Sequence, residues 1–168
     1  MLRRMFYRGP SRHTLHEEYA KRGRIDAQAP IVSLSEIVVA APVDAVWHRL
    51  VNLLDWPSFA PSIRDVRIET GIEVDAYFRF RLYNFPIRAR FAVIDPGRQL
   101  TWTGESLWFT AIDRHTVEPV ADDATRVSIA ESFSGLFAVP LMSPKRLKAQ
   151  HEEWLRSFKQ AVEQEQRR

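Results

Sequence analysis

The side chains best placed to move protons in this chain are Asp113, His115, Glu131 and His151. Three of them fall in two neighbouring stretches of alternating sequence. If 109–120 and 125–133 pair as antiparallel strands through Ala121-Asp122-Asp123-Ala124, His115 lies opposite Ile129 and Asp113 opposite Glu131. All four then share the face of Val117 and Val127. A histidine beside a carboxylate can act as general base, and Glu131 as general acid. Burial among apolar neighbours raises the pKa of a carboxylate and lowers that of an unpaired histidine. The opposite parity turns Arg114 and Thr116 inward instead. A plainer arrangement leaves His115 in a local hydrogen bond and Glu131 pointing to a covering helix or to solvent.

Other chemistries find less support. With no cysteine, the chain has no thiolate nucleophile, no disulfide and no Cys-ligated metal, which suits a reducing, cytoplasmic setting. His13 and His16 lie near the N-terminus, and His151-Glu152-Glu153 lacks the second histidine of an H-E-x-x-H pair. No metal site is therefore expected. Neither a Ser-His-Asp motif nor a glycine-rich phosphate loop occurs, and no cofactor is implied.

The elements that must hold these residues are legible from periodicity. Leu34–Ala40 is rich in β-branched residues and reads as a strand. Pro42 then opens a helix whose apolar stripe runs Val43, Val46, Trp47, Leu50, Val51, Leu54. The proline-rich segment Asp55–Pro61 allows one short helical turn. Phe78, Phe80 and Leu82 alternate with Arg79 and Arg81, and Ile87, Ala89, Phe91 and Val93 alternate with Arg88 and Arg90. Period two with one apolar face means half-buried antiparallel strands. A turn at Tyr83–Pro86 sets Phe78 against Phe91, Phe80 against Ala89 and Leu82 against Ile87. The next turn, Asp95-Pro96-Gly97-Arg98, sets Phe91 against Trp102, Val93 against Leu100 and Ala89 against Gly104. Ser143-Pro144 caps a final helix with Leu147, His151, Trp154, Leu155, Phe158, Ala161 and Val162 on one face. The order is a strand, a helix, a short turn, six further strands and a long helix. Antiparallel strands cannot cover their own apolar face, so the last helix must lie across it.

The inward residues are large and flat: Phe78, Phe80, Phe91, Trp102, Phe133, Trp154 and Phe158, with Trp56 and Phe59 in the proline-rich turn. Such a set either fills a core or lines a pocket for an apolar ligand. Gly104 beside Ala89 is a local shortage of side-chain volume. On the outer face the same register pairs Arg79 with Arg90 and Arg81 with Arg88. Four like charges side by side are unfavourable unless solvated or matched by an acidic protein or anionic membrane. The first thirty residues form a basic extension, with a short helix over 14–22 that starts at Thr14-Leu15-His16-Glu17, stops at Gly23 and stands outside the main fold. At 168 residues with 45% hydrophobic content, net charge +3 and no apolar run of membrane-spanning length, the chain reads as a globular domain. It carries no nucleic-acid-binding motif, so no such partner is expected.

Four ordered motifs carry a family resemblance. Ala41-Pro42-Val43-Asp44-Ala45-Val46-Trp47 looks like an "AP-x-x-x-VW" helix opening. Asn52 followed by Trp56-Pro57, Phe59 and Pro61 resembles a "D…YP…W…P" segment. Pro96-Gly97-Arg98-Gln99-Leu100-Thr101-Trp102 matches "P-x-R-x-L-x-W", and Thr125-Arg126-Val127 with Glu131-Ser132-Phe133-Ser134-Gly135 matches "TRV…E-x-FSG". From Ser35 to Gln164 the chain thus resembles the START-like (SRPBCC) superfamily, in particular its polyketide cyclase/dehydrase branch. The resemblance implies an α+β helix-grip fold: a curved seven-stranded antiparallel sheet around a long C-terminal helix, with two short helices after the first strand. It places this domain over 31–166 and a cavity between sheet and helix. Trp56, Phe59, Phe78, Phe80, Phe91, Trp102, His115, Phe133, His151 and Trp154 are its candidate ligand contacts. The leading expectation is binding or transport of an apolar, lipid-, isoprenoid- or polyketide-like molecule. The alternatives are a cyclase or dehydratase using His115 and Glu131 in aldol cyclisation or dehydration, and an adaptor acting through Arg79, Arg81, Arg88 and Arg90.

Overall fold

The computed structural model describes residues 7, 9–107, 109–135 and 142–168. Helix α1 (Arg12–Thr14) runs on through a π-helical turn, Leu15–Tyr19, and a 3-10 turn, Ala20–Arg22. Strand β1 (Ile31–Val39), helix α2 (Val43–Val51), a 3-10 turn (Leu53–Asp55) and helix α3 (Trp56–Phe59) follow. Six strands come next: β2 (Ile63–Ile68), β3 (Tyr77–Leu82), β4 (Phe85–Asp95), β5 (Gln99–Ser106), β6 (Phe109–Ala121) and β7 (Ala124–Gly135). The chain closes on α4 (Pro144–Glu165). The seven strands form one antiparallel sheet in the order β1-β7-β6-β5-β4-β3-β2, gripping α4 as the helix-grip expectation required. Ser143 caps α4 by accepting a hydrogen bond from the Arg146 N–H at 3.1 Å, with Pro144 at its first turn. Leu147, His151, Leu155, Phe158 and Val162 are its buried face.

Several expected details shift. β1 begins at Ile31, three residues before Leu34. In the helix stripe Leu54 is exposed and Leu53 is buried, because the chain leaves α2 at Val51 and tightens into the 3-10 turn. The β3–β4 turn is only Tyr83-Asn84, so Phe78 pairs with Ala89, Phe80 with Ile87 and Leu82 with Phe85. The register thus slips by two residues from the expected one, which leaves every side chain on its expected face. Tyr83 takes a left-handed φ of 53°, and its N–H donates to the Ser62 carbonyl at 2.6 Å, pinning the tight turn. Arg79 therefore faces Arg88, Arg81 faces Pro86, and Arg90 faces Tyr77. The expected row of four paired arginines does not form. Beyond Phe91–Trp102 the β4–β5 ladder bulges at Ala92, so Ile94, not Val93, meets Leu100. The β6–β7 ladder keeps the expected pairs, Asp113–Glu131, His115–Ile129 and Val117–Val127. Arg114 turns to the outer face, where it donates to the Gly23 carbonyl at 3.0 Å.

The N-terminal helical segment does not stand outside the main fold. It starts one turn early, capped by Ser11, and stops at Gly23 in the left-handed conformation. Leu15 and Ala20 are buried against Ala92 and Ile112 on the convex side of the sheet. Buried His16 meets Thr103 Oγ1 at 2.8 Å and Asp75 Oδ1 at 2.9 Å. Lys21 and Arg90 converge on the same Asp75. Ala92 and Ile112 supply the apolar floor that makes docking favourable.

Candidate functional site

A cavity of about 410 Å³ lies between the inner sheet face and α4. Its origin is a row of small residues across three strands: Ala89 opposite Gly104, and Gly104 opposite Ala111. Side chains this short do not reach α4, and Gly104 and Ala111 line the void that results. The neighbouring row has the opposite character. Phe91, Trp102, Asp113, Glu131 and Ser33 lie side by side across five strands. It is aromatic on β4 and β5, and polar on β6, β7 and β1.

At one end of the cavity Trp56, Trp102, His115 and Trp154 pack together. The His115 ring stacks on Trp102 with centroids 4.9 Å apart and meets Trp154 edge-on at 5.1 Å. Trp56 lies 5.7 Å from each tryptophan and donates its Nε1–H to the Leu50 carbonyl at 3.0 Å. That bond satisfies the one polar group of a ring otherwise buried in apolar surroundings. The mouth is marked by lining residues that are also exposed, Pro61, Tyr83, Phe85 and Arg146.

The polar lining is built around a histidine–carboxylate contact across the grip. His151 Nε2 of α4 and Glu131 Oε2 of β7 are 2.7 Å apart. Burial pushes the Glu131 carboxyl above its ordinary range; the neighbouring Asp113 charge adds to this, and the His151 bond offsets only part. For His151, burial opposes the charged ring, but the hydrogen bond and charge of Glu131 outweigh it and the pKa is raised. The two groups hold a shared proton more firmly than they would apart. His115 Nδ1 comes within 3.1 Å of Asp113 Oδ1, but the two are not aligned for a hydrogen bond, and both atoms are buried without a partner. Buried polar atoms in this condition are uncommon, and each calls for an explanation.

Of the sequence-derived candidates, Trp56, Phe80, Trp102, His115, Glu131, Phe133, His151 and Trp154 line the cavity together. Phe78 and Phe91 do not. Both are fully buried in the wall behind it, stacked on each other at 4.5 Å. Phe59 packs behind Trp154 and Phe158, with ring centroids 5.7 Å from each. The geometry pairs Glu131 with His151, and His115 with Asp113. Arg146, Gln150, Glu153 and Ser157 also line the cavity from α4. They form the stripe next to the apolar one, each one residue ahead of Leu147, His151, Trp154 and Phe158, which is the signal that could have found them. Away from the cavity, His16, Glu17 and Asp75 bring ligand-type atoms within 4.8 Å of one another. Lys21 and Arg90 already neutralise that cluster.

Residues 32–163 match the family described as polyketide cyclase / dehydrase and lipid transport. The chain belongs to this family. No curated protein matches it. Its fold is similar to that of a hypothetical protein from Helicobacter pylori, at 16% identity and TM-score 0.71 over 93% of this chain and 96% of that one. A START superfamily protein from Mycobacterium smegmatis matches at 15% identity and TM-score 0.69, over 79% and 97% of the two chains. The Zhui aromatase/cyclase from Streptomyces sp. R1128 matches at 16% identity and TM-score 0.64, over 79% and 93%. At such identities the likeness is one of fold, and the family's START-like architecture agrees with the sheet and helix described above. Among the described residues no helix is long and apolar enough to cross a membrane.

Proposed function

We propose that this chain binds an apolar small molecule, lipid-, isoprenoid- or polyketide-like, between its sheet and α4, in a cytoplasmic setting. The observation that carries the reading is the cavity itself: about 410 Å³, walled by tryptophans and phenylalanines, with the hydrogen-bonded Glu131–His151 pair in its lining. Concave apolar sites with a few convergent polar groups are the usual form of small-molecule sites. The aromatic walls supply affinity, and the Glu131–His151 pair orients a hydroxyl or carbonyl on the ligand. Native mass spectrometry of freshly purified protein tests this. A co-purifying hydrophobic adduct that is lost on Trp102→Ala, with the fold retained, supports it. An apo mass, together with no displacement of a polarity-sensitive dye by fatty acids, prenols or aromatic polyketides, refutes it.

A second reading follows from the raised pKa of Glu131. A carboxyl that holds its proton more firmly than an ordinary glutamate is suited to general acid chemistry, with His151 to return the proton. The cyclase or dehydratase reading thus rests on Glu131 with His151, with His115 behind them. Conversion of a bound poly-β-ketone substrate by wild type, absent in Glu131→Gln, would favour it over carriage alone.

A further inference from the structure

We infer that the edge of the sheet around the cavity mouth docks on an anionic lipid surface. On the convex side an open groove of about 560 Å³ gathers Arg12, Arg67, Arg79, Arg81 and Arg88, five cations against three carboxylates: Asp65 and Glu105 in the lining, and Glu69, which accepts from Arg79 Nε at 2.8 Å. Directly beside it stand exposed apolar side chains of two hairpin tips, Leu107 at 57%, Phe85 at 45% and Tyr83 at 42% exposure. Leu107 takes a left-handed φ of 51° at the β5–β6 tip. The two tips are neighbours, since Phe85 meets Phe109 edge-on at 6.5 Å.

The groove and the cavity are separated by little. The β4–β5 ladder ends at Arg88–Glu105, so Phe85, Pro86 and Ile87 have no partner on β5. Phe80 and Ile87 line both hollows, and Tyr83 and Phe85 reach the cavity mouth. A basic groove, an apolar rim and the opening of an apolar cavity therefore share one edge. An acidic protein would satisfy the arginines but offers no apolar depth for Leu107 and Phe85. A bilayer offers phosphates and depth together. An apolar ligand entering at this edge would also pass from membrane to cavity without crossing water.

Co-sedimentation of ligand-free protein with vesicles tests the surface independently of what the cavity holds. The probes are phosphatidylcholine vesicles with and without a third of phosphatidylglycerol. Binding is expected only to the anionic vesicles, weakening as salt is raised. Each arginine near such a surface contributes about fivefold in affinity, so Arg67→Gln/Arg79→Gln/Arg88→Gln should lose on the order of a hundredfold. Leu107→Asn, a side chain that tolerates the left-handed turn, should lose severalfold with the salt dependence unchanged. Circular dichroism of each variant checks the fold. No binding of wild type at low salt overturns the proposal, as does undiminished binding of a folded triple variant. Equal binding to soluble polyglutamate, with no effect of Leu107→Asn on either, overturns it in favour of an acidic protein partner.

Discussion

Gly104→Leu separates an open cavity from a filled core by the sign of one stability change. Gly104 is not among the residues at positive φ, and a Cβ there would meet only Ile87 Cγ2, at 3.4 Å. The rest of a leucine side chain would extend into the space left by Ala89, Gly104 and Ala111. Filling it with apolar carbon gains about 0.8 kcal/mol per buried methylene, an upper bound of roughly 3 kcal/mol for leucine. Ordering the side chain returns about 0.5–1 kcal/mol, while losing glycine's freedom in the unfolded chain adds about 0.4–1 kcal/mol. Residual solvent contact at the mouth trims the sum, leaving a net gain of about 1–2 kcal/mol. A core packed solid at this point would instead lose about 1–3 kcal/mol to strain. For a domain of this size each kcal/mol moves Tm by about 2–4 °C. Thermal unfolding of ligand-free protein should thus rise by several degrees, while affinity for the cavity ligand falls by about tenfold or more. A fall in Tm beyond about 3 °C would show that there is no space beside Gly104, and the binding proposal would lose its foundation.

The titrating groups supply the remaining tests. NMR should place the His151 pKa above 6.5 in wild type and lower in Glu131→Gln, where burial is opposed only by the Asp113 charge. Both members of the pair are raised, so their stabilising contribution is full below 4.5 for Glu131 and below 6.5 for His151. It is lost as pH rises through the raised folded values; urea unfolding should show stability declining above pH 6.5, with a flatter slope in Glu131→Gln. Asp113→Asn removes a charge that raises Glu131, so the Glu131 pKa should fall, read by carboxyl NMR. His16 behaves oppositely: burial lowers its pKa, so its contribution is present above 6.5 and lost as pH falls through the lowered value. Trypsin cleavage at Arg22 and Arg24 should therefore quicken between pH 7 and 5, much less so in His16→Gln.

How far the sequence reached depended on what each pattern can encode. Alternation marks a face, and a two-residue slip leaves the face unchanged. The inner wall of Phe78, Phe80, Ala89 and Phe91 was therefore legible while the β3–β4 partners were not. Their register rested on the Tyr83-Asn84 turn, whose left-handed tyrosine carries no sequence signal of the kind Asn-Gly gives. Asp122-Asp123 marks the two-residue β6–β7 turn, but that turn alone would set Asp113 against Ser132; a bulge between Pro119 and Ala121 shifts the ladder by one residue and gives the pairs read from the sequence. The bulge at Ala92 was silent, since alanine suits either face. The helix before Gly23 was legible from its stop, but its docking was not. Its floor, Ala92 and Ile112, lies on the face that alternation with arginine had assigned to solvent. At the site, Asp113 beside Glu131 followed from register alone. Which histidine meets Glu131 depends on the rotation of α4 over the sheet, and a stripe of apolar residues fixes that only to within one neighbouring row.

The row through Phe91, Trp102, Asp113, Glu131 and Ser33 makes the strongest case that this interior is kept for more than stability. Adjacent carboxylates on one face of a sheet repel, and burial magnifies the cost. A fold selected only for packing would place apolar residues at Asp113 and Glu131, as it does at Val117 and Val127 further along the same hairpin. Instead α4 brings His151 down on Glu131, while Trp154 covers the aromatic half beside Trp102 and Trp56. The helix thereby repeats the division of the row beneath it. The resulting hollow carries its polar groups, Asp113, His115, Glu131 and His151, on the side of β6, β7 and α4, among apolar Phe109 and Phe133. A purely hydrocarbon ligand would leave that polar side without a partner. On the proposed reading, a ligand carrying a hydroxyl or carbonyl on one side of an apolar body would satisfy both kinds of lining at once, and the matching halves of sheet and helix would set the direction in which it lies.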